Sequence, residues 1–593
     1  MTASRATPVV SGKERLGWSS HLTALLRLPL GWLREGESLK QTQLFLLLAV
    51  IIGLFSGLFV VLFRIAIEWT KLLAFGYSPT IPWTRNVIVP TVGGLTVAYL
   101  VMRFFPRVRG SGVNQTKAAV YIFDGYIPFS TVIGKFITCA IALGTGQSLG
   151  PEDPSLQMGA GIASALGRAL RLSRDKVRLI APVGAAAGLA AAFNAPISAV
   201  LFVIEEVIGN WTAGVLGAIV LSAVSSVIVM RWFLGDEAMF GIPAYHLVHP
   251  AELLAYAMLG LIGGLSSLAF VKLVAYGRPR LKALPRWTHY YQPAAAGLLI
   301  GIIGIWFPQV MGAGYNYIDQ AMHDQFVWHI LALLAVFKIL ATSLSFVSGT
   351  PGGMFAPTLF IGAMLGAAVG AVEHHFFPWL TGGTGAYALV GMGTLFAGFL
   401  RVPLTSVFMV LEVSGNYSII LPVMISNTIA YLISRQFQET PLFDLLSRQD
   451  GMELPSMEER REEVLLHIED AMRPYQGMVL SVDDPIQVAL TGAEASPESF
   501  VLVRDGAERW HGIRKEELRR WAPHMRQADP LRDLLPQTHL PYLYPDQPLE
   551  EALRGLAEWP LLPVVSRVDV SKLVGVVELP DVLKAYRPAG QRE

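Results

Sequence analysis

Cysteine is almost absent: the chain of 593 residues has one, Cys139, inside an apolar run. That excludes disulfides within the chain, and packing is the ordinary role of such a residue. Metal and nucleotide signatures are missing too. There is no His-Glu-x-x-His pair and no P-loop, and the adjacent His374 and His375 do not share a helix face. No local spacing pairs a serine nucleophile with a histidine, so bond-making catalysis is not expected. Charge is scarce: 15% of residues are Asp, Glu, Lys or Arg, against about 25% in soluble domains. The net charge of +1 gives no global field for nucleic acid. Residues 1–40 lack a short apolar core ending in small residues, so no secretory signal is expected there.

What is present is apolar: 53% of the residues. Runs at 43–73, 86–105, 131–149, 155–170, 177–192, 212–233, 251–276, 291–307, 327–346, 358–372, 386–399, 403–413 and 419–437 make this a polytopic membrane protein embedded in a lipid bilayer. Arg5, Lys13, Arg15, Arg27, Arg34 and Lys40 precede the first run. The positive-inside rule then places the N-terminus in the cytoplasm.

The runs are broken at telling places. Gly150-Pro151-Glu152-Asp153-Pro154 lies between two of them. An ionised group at that depth costs about 2.5–3.5 kcal/mol. Glycine and two prolines break the backbone and restart it as a helix, with Pro154 suited to the first turn. The Glu152 carboxylate is expected beside a helix N-terminus, a place that attracts anions, and to compete there with a permeant anion. Asp153 is either a helix-capping acid or part of the same site. Arg107-Val108-Arg109-Gly110-Ser111-Gly112 opens a segment, 113–122, too short to span, as binding segments of transporters are. Ser111 is either a cap of its own helix or a hydroxyl donor to an anion. A third break, Gly352-Gly353-Met354-Phe355-Ala356-Pro357, leaves backbone N–H groups free, with Phe355 either a ligand-facing or a core ring.

An internal repeat relates the breaks. With Pro154 set over Pro357, Gly150 meets Gly353, Ser155 meets Thr358, and Gly159-Ala160 meets Gly362-Ala363. With Pro196 set over Pro403, Ser198 meets Thr405 and Glu205 meets Glu412. The relative orientation of the halves is not legible in these matches. Glu206 falls opposite Val413. It is the acid that the repeat does not require, and so the functional member of the Glu205–Glu206 pair. It is either an interfacial carboxylate or a group that passes protons toward Glu152, with no cation expected between them. Lys135, in an apolar run, either raises the potential for anions or snorkels to the surface.

These motifs resemble those of the CLC family of chloride channels and chloride/proton exchangers. Gly110-Ser111-Gly112-Val113-Asn114 is similar to its GSGIP, Gly150-Pro151-Glu152-Asp153-Pro154 to its GREGP, and Gly353-Met354-Phe355-Ala356-Pro357 to its GxFxP. The resemblance covers residues 41–447. It implies an all-α membrane domain of broken, tilted helices in inverted repeats, assembled as a homodimer with one anion pathway per subunit. Chloride and protons are the implied substrates. By the resemblance, Glu152 is the gating glutamate and Glu206 the internal proton glutamate. Ser111, Gly112, Gly353, Met354 and Phe355 line the anion site, and Gly110, Gly150, Pro151, Asp153, Pro154, Lys135 and Glu205 support it. Phe443 stands where the family has an anion-coordinating tyrosine, so one hydroxyl ligand is missing. Serine at 111 favours chloride over nitrate and fluoride. A chloride/proton antiporter of a bacterial inner membrane is the leading expectation, and a passive voltage- or pH-gated chloride channel the alternative.

Residues 448–471 read as a charged linker, including Met457–Glu463, and 472–593 as a cytoplasmic α/β tail of two β–α–β patterns, 472–521 and 535–586. The tail resembles a tandem CBS pair. Gly575 to Val582 is the better match, which makes Asp581 the candidate contact to an adenine nucleotide's ribose. A purely structural tail is the other reading. CBS tails also occur on intramembrane metalloproteases and magnesium transporters. The first needs a His/Glu motif that is missing, and the second needs cation sites where this chain offers helix N-termini.

Overall fold

The computed structural model describes residues 38–76, 82–209, 213–236, 239–240, 248–452, 454, 466–506, 509–524, 526, 528–535 and 538–586. The basic residues Arg5 to Arg34 and the acidic-basic run Met457–Glu463 lie outside them. The chain forms two units, 1–454 and 455–593.

The first unit is helical. Its first half contains α1 (Ser38–Phe75), α2 (Trp83–Arg103), α3 (Gly112–Tyr121), α4 (Phe129–Gly144), α5 (Glu152–Ala169), α6 (Arg174–Phe193), α7 (Pro196–Phe202) and α8 (Ala213–Leu234). The second half contains α9 (Glu252–Lys282), α10 (Gln292–Trp306), α11 (Tyr315–Met322), α12 (Trp328–Val347), α13 (Phe355–Phe376), α14 (Thr384–Leu400), α15 (Pro403–Ser414), α16 (Ile420–Phe437) and α17 (Leu442–Gln449). Among the described residues, eight helical stretches are long and apolar enough to cross a membrane, and α4, α10, α14 and α15 are shorter apolar helices. Short helices end at membrane depth only where protein, not lipid, meets their free N–H and C=O groups.

The repeat is visible as geometry. In both halves a broken helix packs backbone-to-backbone on the next, α5 on α6 and α13 on α14. A Cβ built on Gly159 would lie 2.1 Å from the Gly184 carbonyl, and one on Gly362 2.3 Å from that of Gly391. Small residues permit this approach, which is the main source of helix association in lipid. The halves are joined head to head. Gly150 and Gly353, equivalent in the repeat, form an antiparallel bridge with N–H···O distances of 2.7 and 2.8 Å. Glu205 accepts from the Thr405 N–H at 3.0 Å and its hydroxyl at 2.7 Å, and Glu412 accepts from the Ser198 N–H at 2.7 Å and from its hydroxyl. Each half thus caps a helix of the other, at α15 and α7. Reciprocal exchange between equivalent residues is the signature of a two-fold relation between the halves.

The second unit has two small sheets. The first is β1 (Leu480–Ser481), β2 (Phe500–Asp505) and β3 (Arg509–Arg514), in that order, with β1 parallel and β3 antiparallel to β2. The second pairs β4 (Leu561–Val565) antiparallel with β5 (Leu573–Glu578). The leading strand of its expected β–α–β pattern is reduced to a single parallel bridge, Leu543 to Val564. Phe500, Leu502, Trp510, Leu540, Leu561, Val565 and Val576 form one buried cluster spanning both sheets.

Gly362→Ala is expected to force the α13–α14 backbones apart and to lower the melting temperature in detergent, at an overpacking cost of about 1–3 kcal/mol. Gly383→Ala, which meets nothing within 4 Å, is expected to leave it unchanged. Thermal unfolding read by size-exclusion profile measures both.

Candidate functional site

Three broken helices begin at one point. Ser111 is the N-cap of α3, Pro151 of α5 and Met354 of α13. At each start the first N–H groups have no partner within their own helix. Glu152 and Asp153, side by side, satisfy two of these starts. The Glu152 carboxylate accepts from the Ala356 N–H of α13 at 3.3 Å, and Asp153 accepts from the Val113 N–H of α3 at 2.7 Å. Both acids are buried, Glu152 at 0% exposure and Asp153 at 1%.

The two assignments differ from the sequence reading in detail. Glu152 does lie at a helix N-terminus, but its bond crosses to the other half of the repeat. Asp153 is a helix cap, and the helix it caps is α3. Gly353 has no Cβ because Asp153 passes there: a built Cβ would sit 2.6 Å from the Asp153 Cβ. Pro154 occupies the third position of α5.

Asp153 also decides what Ser111 does. Ser111 is the N-cap by position, yet its hydroxyl makes no capping bond. The hydroxyl is buried and lies beside the Asp153 carboxylate. The capping alternative for Ser111 is therefore replaced by Asp153. Gly110 adopts φ +93°, which turns the chain into this segment. Gly112 is the first residue of α3 and Met354 is a buried cap whose carbonyl accepts from Thr358.

Phe355 and Phe443 form the apolar wall. Their ring centroids are 6.3 Å apart, and Phe202 contacts both, at 5.0 and 6.5 Å. Phe443 is 1% exposed and offers the site no hydroxyl. Its carbonyl accepts from the Asn114 amide at 2.9 Å, and the same amide donates to the Ser447 hydroxyl at 3.1 Å. Asn114, which replaces the proline of the resembled motif, thus ties α3 to α17.

Lys135 does not snorkel to the surface. It is fully buried, and its ammonium donates to the carbonyls of Val108 at 3.1 Å and Gly110 at 2.8 Å. It holds the loop that presents Ser111. The repeat carries a second copy that the sequence reading missed: Lys338 donates to Val310 and Gly312 at 3.0 and 2.6 Å. Glu205 is a structural cap, as its bonds to Leu404 and Thr405 show.

Glu206 is not interfacial but buried, at 4% exposure. Helix α7 runs into a π-helical turn, Val203–Ile208, which sends Glu205 and Glu206 to different partners. π turns are rare and frequent at functional sites. A cation does lie beside this acid. The Lys117 ammonium lies 2.7 Å from Glu206 and 2.8 Å from Asp444, all three side chains at 5% exposure or less. One cation thus faces two carboxylates out of water. With all three ionised the cluster holds one uncompensated negative charge, which is costly in this setting; a single proton cancels it.

In the tail, Asp581 lies 3.3 Å from the Arg473 guanidinium and accepts from the Glu578 N–H at 3.1 Å. Arg473 also forms a two-pronged pair with Glu498, at 2.7 and 3.0 Å, and meets Glu578 at 3.1 Å. The pair with Arg473 holds the Glu498 carboxyl below the usual carboxylate range.

Comparison with known proteins agrees with this architecture. The family model for voltage gated chloride channels matches residues 93–435, and that for the CBS domain matches 531–588. A putative chloride channel protein, ClcB-like, from Ralstonia nicotianae is 34% identical over 59% of this chain and 83% of its own. The H(+)/Cl(-) exchange transporter ClcA of Vibrio campbellii is 32% identical over 68% of this chain and 88% of its own. Among solved structures, a slow cyanobacterial Cl-/H+ antiporter superposes with a TM-score of 0.63 at 26% identity, over 68% of this chain and 97% of that one. A eukaryotic CLC transporter, at 21% identity, shares the fold over 92% of this chain and 99% of its own, with a TM-score of 0.61. The chain is a multi-pass membrane protein that belongs to the voltage-gated chloride channel family, the CLC proteins, and carries a C-terminal CBS region.

Proposed function

We propose that the protein exchanges chloride for protons across the membrane, with Glu152 as the gate. The carrying observation is the Glu152 carboxylate on the Ala356 N–H. An N–H at a helix start, with a buried hydroxyl nearby at Ser111, binds an anion without a fixed positive charge, so the anion can leave again. Glu152 fills that position with its own negative charge. When it takes a proton, its claim on the N–H weakens and chloride replaces it. The names of the exchangers in the family support the antiport reading. The reading carries with it a homodimer with one pathway per copy, a bacterial inner membrane and cytoplasmic termini.

The Lys117–Glu206–Asp444 cluster supplies the internal proton position. Its excess negative charge is what draws a proton from the aqueous side, and Glu206 hands it toward Glu152. Phe443 favours a second reading, a chloride channel with loose proton coupling, because the site keeps one side-chain hydroxyl, Ser111, where the family pattern has two. In the tail, Asp581 spends its carboxylate on Arg473 and the Glu578 N–H, which supports an internal ion-pair role; a ribose would have to displace the arginine.

Reconstituted vesicles with a chloride gradient, with proton and chloride movement recorded together, test the proposal. Uphill proton movement is expected in the unmodified protein, with loss of proton but not chloride movement in Glu206→Gln, and loss of proton movement in Glu152→Gln. Chloride flux with no proton movement in the unmodified protein would establish the channel reading instead.

Asp444→Asn leaves one cation against one carboxylate and removes the charge that a proton cancels. Protons moved per chloride are expected to fall at least about tenfold, the effect of ~1.4 kcal/mol, while chloride still passes. The same coupled recording measures it.

The Glu498 carboxyl, held low by Arg473, contributes stability that is present above the ordinary glutamate value of about 4.3 and is lost as pH falls through its own lower value. Hydrogen exchange at residues 473–476 and 576–578 of the full chain is expected to be slower in the unmodified protein than in Glu498→Gln at pH 6. The gap should close on acidification through that range.

A further inference from the structure

A cavity of about 620 Å³ opens where α2, α9 and α17 end. Its wall carries four basic residues: Arg107 and Arg109 from the loop after α2, and Arg278 and Lys282 from the end of α9. Among the described residues of that wall, the one acid is Asp450, just past α17. Asp450 accepts from Arg278 at 2.9 Å through both oxygens and lies 3.1 Å from Lys282. It is within electrostatic reach of Arg109 as well, and so is Arg278, which opposes it. One carboxylate is thus shared among three cations, and Arg107 is exposed on the rim as a fourth. Four cations against one carboxylate leave a surplus of three positive charges in the wall.

Arg109 is held in place without being neutralised. Its guanidinium donates to His289 Nδ1 at 3.0 Å, and an imidazole nitrogen that accepts belongs to an uncharged ring. Gly349, at φ +84°, leaves the space that the guanidinium takes: a Cβ there would lie 2.3 Å from Nε. An arginine fork fixed in this way matches the two free oxygens of a phosphodiester.

Much of the remaining wall is apolar. Phe123 and Tyr126, exposed rings of the loop after α3, belong to it, as do Phe346 and Val347 of α12. Ser111, Glu152, Phe355 and Phe443 do not. The cavity also sits at the level where spans end. Phe104 follows α2, and Trp287 and Tyr291 follow α9, all three exposed. Such rings at span ends mark the headgroup region of a bilayer. Surplus positive charge beside apolar surface at that depth is the complement of an amphiphile with an anionic head. Basic pockets between membrane helices bind anionic lipid headgroups.

We propose that this cavity binds one anionic phospholipid per chain, with the phosphodiester on Arg109 and Arg107 and the start of an acyl chain along Phe123 and Tyr126. The site is independent of whether the protein exchanges chloride for protons or conducts chloride alone.

The test is native mass spectrometry of the full chain in detergent, titrated with phosphatidylglycerol and, separately, with phosphatidylcholine of the same acyl chains. One saturable phosphatidylglycerol per chain is expected, with phosphatidylcholine at least about tenfold weaker. Arg109→Gln is expected to weaken phosphatidylglycerol roughly tenfold, one charge-assisted hydrogen bond's worth. Arg107→Gln, on the rim, should weaken it roughly fivefold. Arg280→Gln, which removes an exposed cation of the same helix end outside the wall, should leave it unchanged. Equal binding of the two lipids, or phosphatidylglycerol binding that never saturates, overturns the site. So does an equal loss in Arg280→Gln, which diffuse surface charge would give. Unchanged affinity in Arg109→Gln overturns it as well; if that variant does not fold, unchanged affinity in Arg107→Gln does. Inorganic phosphate in large excess is expected to leave phosphatidylglycerol bound. Displacement by phosphate would mean a site for the free anion and would overturn the lipid assignment.

Discussion

The membrane unit hangs on two hydrogen bonds, those that Gly150 and Gly353 exchange across the middle of the fold. They join the loop that opens α5 to the loop that opens α13, and they join equivalent residues of the internal repeat. Both bonds lie where no water competes, so each is stronger than at a surface, and leaving either group unpaired would cost several kcal/mol. Once the loops are pinned this way, the neighbouring residues have little choice. Glu152 reaches the first turn of the other half's helix, and Asp153 reaches the first turn of α3. Two adjacent carboxylates thereby close two helix starts, and the Ser111 hydroxyl is left without a capping duty.

The same two-fold logic distributes the supporting charges. Lys135 and Lys338 each hold a loop by two carbonyls, and Glu205 and Glu412 each cap a helix of the opposite half. These buried charges are structural because they come in symmetric copies and are satisfied locally. Function sits where the symmetry fails. Glu206 has Val413 as its counterpart in the repeat, and it joins Lys117 and Asp444 in a cluster whose charges do not balance.

Much of this was legible in the chain. The glycines and prolines that break apolar runs located the three helix starts, because few other residues tolerate a break at that depth. The two repeat superpositions set Gly150 over Gly353 and Glu205 over Glu412, and these are the pairs whose elements bond. The first of them also sets Lys135 over Lys338, so the second lysine's role was available from the sequence and went unread. Lys117 was not available. It sits in a short polar segment, and its partners lie 89 and 327 residues away, a distance that local pattern cannot bridge. Nor does composition reveal the π turn that separates Glu205 from Glu206, since one extra residue in a turn changes no periodicity over so short a helix. Asp153 was read as either a helix-capping acid or part of the anion site; which helix it caps was not legible, because capping rules are local and that helix comes from elsewhere in the fold.

The central claim is that the Glu152 carboxylate and a chloride ion occupy the same place, on the N–H groups that open α13. Anomalous diffraction from crystals grown in bromide measures this directly, with the unmodified protein and Glu152→Ala compared. The account expects a bromide peak at hydrogen-bond distance from the Ala356 N–H in Glu152→Ala and none there in the unmodified protein, where the carboxylate holds the position. A peak at that N–H in both, or no peak there in a folded Glu152→Ala protein that still conducts chloride, would contradict it.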